Sequence, residues 1–83
     1  MKEREDISLI DQYVIDYVTK LRENKNLTQQ DIANIISVDS SFISHIERGF
    51  RGSRYSLEHI NELADYFNMS PRDFLPAKPI HKK

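Results

Sequence analysis

The reactive side chains in this sequence are few: three histidines, a set of hydroxyls and a run of arginines, with no cysteine. His45 and Glu47 stand two apart, which sends them to different sides of a helix. His59 and Glu62 can share a face, but without a thiolate or further imidazoles nearby they make no metal set, and neither metal nor cofactor is expected. No glycine-rich phosphate loop, HExxH pair or nucleophile motif occurs, so an enzyme is not expected either. What remains is the chemistry of recognition. His45, Arg48, Arg51 and Arg54 face only Glu47, a basic patch on a chain whose net charge is −1. Such a patch attracts phosphates while the rest of the surface stays acidic. Just ahead of it Ser40, Ser41 and Ser44 can donate or accept at close range. Cations suit phosphates, and short hydroxyls suit close backbone approach, so a phosphate-bearing partner is the expectation these residues raise, and double-stranded DNA the expected one if a helix carries them.

The elements that must carry these side chains lie in LTQQDIANIISVDSSFISHIERG, residues 27–49. Thr28 is a good N-cap for a first helix. Ile32, Ala33, Ile35 and Ile36 recur at helical spacing within it. Ser37-Val38-Asp39 breaks the pattern, and Asp39 is a second N-cap candidate ahead of Phe42, Ile43 and Ile46. Gly49 ends the second helix, because glycine enters the left-handed conformation without steric cost. Helices this short need tertiary packing for stability, and so short a turn forces a steep crossing. That is helix-turn-helix geometry. With Ile43 and Ile46 turned inward and Phe42 partly so, the second helix faces outward with Ser40, Ser41, Ser44 and His45, the expected base contacts. His45 is the longest of these. The first helix opens on Gln29 and points free N–H groups outward, where Thr28 can add a phosphate donor. Arg48, Arg51 and Arg54 are expected backbone clamps, with Arg51 or Arg54 able to enter the minor groove. Tyr55 either donates its hydroxyl to phosphate or packs.

Leu27-Thr28-Gln29, Ile32-Ala33, Val38, Ile43-Ser44 and Ile46-Glu47-Arg48-Gly49 together resemble the helix-turn-helix of lambda-repressor/Cro-type regulators, the XRE family. LEHINELADYFNMSPRDFL further on resembles the fourth and fifth helices of that domain. The resemblance runs from about Val14 to Leu75. It implies an all-α fold, a five-helix lambda-repressor-like DNA-binding domain with the helix-turn-helix at helices 2–3. It also implies that Gln29 meets phosphate, reaches toward the bases and braces a side chain of the recognition helix. Arg22 and Glu47 would form a partly buried structural ion pair. Two positions depart from the pattern. Ser37 stands where glycine is usual, at a cost of roughly 1 kcal/mol if its φ is positive. Phe50 replaces a frequent lysine, removing one phosphate contact and covering instead the core edge or a dimer contact.

Around this centre, residues 1–6 are a charge run expected to be a flexible lead-in, residues 7–76 the domain, and residues 77–83 a flexible tail. Ile10, Val14, Tyr17, Val18 and Leu21 form one apolar stripe of a first helix, capped by Asp6 or Ser8 with Asp11 in support. Ser56 caps a helix with Leu57, Ile60, Leu63, Ala64 and Phe67 inward. Ser70-Pro71 opens a last helix, Phe74 and Leu75 complete the core, and Pro76 stops it. Composition agrees: 39% hydrophobic and 30% charged residues describe one small helical domain rather than a disordered chain. No apolar run approaches the roughly 20 residues of a membrane span, and no signal-peptide pattern opens the chain, so no membrane partner and a cytoplasmic location are expected. So compact a chain has no room for a ligand-sensing domain. It is expected to be a small transcriptional regulator, a repressor, acting as a homodimer on half-sites about one helical turn apart. The alternative is an antitoxin or adaptor of the same fold whose main role is to hold a partner protein.

Overall fold

The computed structural model describes residues 7–81. The expected lead-in at 1–6, the Asp6 cap and the last two residues of the tail lie outside that range. Four α-helices follow one another: α1 Leu9–Asn24, α2 Gln29–Ile36, α3 Ser40–Arg48 and α4 Leu57–Phe67. Short 3-10 turns occupy Phe50–Gly52 and Pro71–Phe74. The described residues contain no strand. The expected fifth helix is the second of these turns. Pro71 fixes its start and Pro76 follows closely, which leaves too little chain for repeated i→i−4 bonding.

Local sequence accounts for both ends of most elements. Ser8 caps α1, its Oγ accepting from the Asp11 N–H at 3.1 Å. Thr28 and Asp31 form a reciprocal capping box on α2, with bonds of 2.8 and 3.0 Å. Ser70 and Asp73 do the same on the last turn. Asp39 occupies the N-cap position of α3 but its side chain makes no capping bond. Helices α1, α2 and α4 then end alike. Asn26, Ser37 and Asn68 adopt positive φ of 57°, 62° and 59°, and the following N–H reaches the carbonyl five residues back at 2.9, 3.0 and 2.8 Å. This closure satisfies carbonyls that each helix end would otherwise leave open.

One core results. Val14, Ile15 and Val18 of α1, Ile32, Ala33 and Ile36 of α2, Ile43 and Ile46 of α3, and Ile60, Leu63 and Ala64 of α4 are all buried around Phe74. The Phe74 ring meets Tyr17 edge-on at 5.1 Å. Ala33 of α2 is fully buried, and α2 packs against both α3 and α4. Three apolar expectations are corrected. Ile10 is 44% exposed, while Ile7 and Ile15, outside its stripe, are buried in its stead. Leu57 is 80% exposed at the first position of α4, where a helical side chain leans back toward the N-terminus and away from the turns that follow. Leu75 lies beyond the last 3-10 turn and is also exposed.

Candidate nucleic-acid interface

The position of α3 follows from its two faces. Ile43 and Ile46 are fully buried, which fixes the roll of the helix. Ser41 and Arg48 are then exposed, and Ser40, Ser44 and His45 half-buried along the outer side. The structure thus brings Ser40, Ser41, Ser44, His45 and Arg48 onto one short helix, with Arg51 just beyond it.

Behind α3 a polar network ties three helices together. Arg22 grips Glu47 through two hydrogen bonds, Nε to Oε2 at 2.9 Å and Nη2 to Oε1 at 3.0 Å. Its remaining nitrogen, Nη1, donates to the Leu27 carbonyl at 3.0 Å. Gln29 adds a bond from Nε2 to Glu47 Oε1 at 3.0 Å. The side chains of Arg22 and Glu47 are only 16% and 12% exposed. The Glu47 hydrogen bond raises the pKa of Arg22, outweighing the opposing effect of burial. Gln29, half-buried at the start of α2, therefore braces α3 through Glu47. Thr28 is committed to its capping box, with its side chain still at the surface.

The loop after α3 holds the rest of the basic patch. Arg48 and Arg51 lie over the Phe50 ring, 5.6 and 5.2 Å from its centroid. The His45 ring meets the same ring at 4.8 Å, tilted by 40°. Arg54 points another way. It donates to the Gly52 carbonyl at 3.3 Å and approaches Asp11 of α1 at 3.6 Å, with about half of its side chain exposed. Tyr55 is only 6% exposed, and its buried hydroxyl has no hydrogen-bond partner among the described residues. Burial, aided by the charge of Glu47, raises its pKa against the opposing pull of Arg22. With its oxygen inside, Tyr55 packs rather than reaching for phosphate in this conformation. Sequence reasoning missed the Phe50 ring as a meeting point for cations. It also missed His59, whose Nδ1 accepts from the Ser56 N–H at 3.1 Å as half of the α4 capping box. The spacing of Ser56 and His59 matches a capping box, but histidine is not the residue usually sought there.

A helix-turn-helix family model matches residues 18–74, from the second half of α1 through the last 3-10 turn and most of the chain. The chain belongs to the XRE-type helix-turn-helix family. Among solved structures, this family member resembles the crystal structure of the restriction-modification controller protein C.AhdI from Aeromonas hydrophila. The two share 31% identity and a TM-score of 0.60, over 75% of this chain and 91% of that one. A transcriptional regulator from Listeria innocua shares the fold at a TM-score of 0.66 and 17% identity. That match takes in 84% of this chain and spans 64% of the Listeria chain. No curated protein matches the sequence. In helix-turn-helix domains generally the second helix of the motif lies in the DNA major groove while the first crosses the backbone.

Proposed function

We propose that this protein is a sequence-specific double-stranded DNA-binding regulator that acts as a repressor, with α3 entering the major groove. The observation that carries the proposal is the division of α3 into a buried isoleucine face and an outer face of short hydroxyls and one imidazole, flanked by arginines. Ser40, Ser41, Ser44 and His45 take the bases, with Gln29 reaching toward them from α2. Thr28, Gln29, Arg48, Arg51 and Arg54 take phosphates. Tyr55 is left out of this set because its hydroxyl is buried. The likeness to a controller protein along nearly its whole length supports a regulator of this size.

Occupying a promoter is the simplest way for so small a domain to act, and it gives repression. One recognition helix reads few base pairs, so the protein works as a homodimer on a two-fold site in the cytoplasm. Selection of bound duplexes from random DNA tests these points together. Enrichment of an inverted repeat with half-sites about one helical turn apart is the expected result. Failure to enrich any sequence, alongside capture of one protein from the native cytoplasm at a fixed ratio, would favour the antitoxin or adaptor role instead.

A further inference from the structure

Phe50 stands at the centre of the basic patch yet is neither basic nor buried. The residue is 41% exposed. Arg48, Arg51 and His45 all converge on it, at 5.6, 5.2 and 4.8 Å. Among the described residues the arginine ion pairs belong to Arg22 and Arg54, not to Arg48 or Arg51. The loop backbone here is left-handed at three positions. Arg51 adopts φ 53° and ψ 35°, a left-handed conformation unfavourable for a residue with a β-carbon, between Gly49 at φ 74° and Gly52 at φ 71°. That conformation accompanies an Arg51 guanidinium set over the Phe50 ring from one side of the loop while Arg48 reaches the ring from α3.

An aromatic face differs from a carboxylate as a partner for arginine. A carboxylate holds the guanidinium but cancels its charge and occupies its N–H fork. A ring holds it by the attraction of its π-electrons and leaves the charge uncancelled. We propose that Phe50 is a positioning residue of the DNA interface, a platform that holds Arg48 and Arg51 ready for the phosphates beside the recognition helix. The proposal rests on the DNA-binding function above and explains how a chain of net charge −1 keeps two arginines organised for a polyanion. Without the platform, each long side chain must be immobilised at the moment of binding, a loss of roughly two- to tenfold in affinity per arginine.

The test compares Phe50→Leu, Phe50→Tyr and wild type for binding to a selected duplex and to a random duplex, with melting temperature and oligomeric state recorded for each. Leucine keeps the apolar bulk and removes the π-face, whereas tyrosine keeps both. The expected result is that Phe50→Leu weakens binding about fivefold or more on both duplexes at an unchanged oligomeric state, while Phe50→Tyr retains it. In an Arg48→Ala/Arg51→Ala background, Phe50→Leu should have no further effect. Wild-type affinity in Phe50→Leu overturns the platform, leaving the ring as packing. A loss that persists without the two arginines overturns it in favour of direct ring contact with DNA, and dissociation of the oligomer overturns it in favour of a dimer contact. Wild type that binds neither duplex at low salt overturns the DNA-binding function itself and the platform with it.

Discussion

Glu47 accepts from both Arg22 and Gln29, and its partial burial makes the consequences of substitution asymmetric. Removing either member of this partly buried, hydrogen-bonded pair strands the other. Arg22→Ala or Glu47→Ala should therefore destabilise the fold by about 3 kcal/mol in chemical denaturation. An apolar replacement of both, Arg22→Met with Glu47→Leu, should be markedly less harmful than the two single losses combined. Tyr55 behaves in the opposite way. Its buried hydroxyl has no hydrogen-bond partner, so Tyr55→Phe removes a desolvation penalty and should leave stability unchanged or raise it by up to about 1 kcal/mol. The same residue gives a pH dependence. Burial and the charge of Glu47 raise the phenol above its ordinary 10.0 in the folded state. The unfolded chain then loses this proton first, so the stabilisation is complete below pH 10 and declines as pH rises beyond it. Denaturation midpoints should accordingly fall less between about pH 9 and about pH 11 in Tyr55→Phe than in wild type.

At the scale of the elements, the turn between α2 and α3 carries a cost that one substitution can remove. Ser37 sits at φ 62° and ψ 48°, where a β-carbon is unfavourable. Ser37→Gly should stabilise the domain by roughly 0.5–1 kcal/mol, measurable as a higher denaturation midpoint with an unchanged slope. This turn also shows what sequence reasoning can reach. Thr28, Gly49, Ser56 and Ser70-Pro71 are local signals whose meaning depends only on neighbouring residues, and each marks the element boundary it suggested. The inner face of α3 was legible for the same reason, since Ile43 and Ile46 repeat at helical spacing. Ile10 and Leu57 were not, because their exposure depends on what lies opposite in space. The fate of Tyr55 and the gathering of cations on Phe50 were likewise beyond pattern reading. Both depend on the path of the loop from Gly49 to Gly52, where three residues take positive φ, and Arg51 gives no sequence sign that it will be one of them.

Over the whole molecule, a net charge of −1 leaves little long-range attraction for DNA, so binding must depend on the local patch. Arg48→Ala and Arg51→Ala should each weaken binding to all sequences and flatten the salt dependence by roughly 0.9 for every phosphate no longer neutralised. Arg54→Ala should change the slope less, since Arg54 is partly engaged with Asp11 and the Gly52 carbonyl. His45→Ala should instead alter sequence preference, with about 1–3 kcal/mol at stake for a good base contact. Affinities across a salt series on selected and random duplexes separate the two outcomes. The carboxylate behind α3 also bears on the order in which the molecule assembles. The Arg22–Glu47 bonds join residues 25 apart in the chain, whereas α2 meets α3 across a single tight turn. Nearby contacts form at lower entropic cost, so the two-helix motif should condense first and be clasped by α1 only near the end. Replacing Arg22 should then accelerate unfolding while leaving the refolding arm of a chevron almost untouched, making its grip on Glu47 a latch on the finished motif rather than its nucleus.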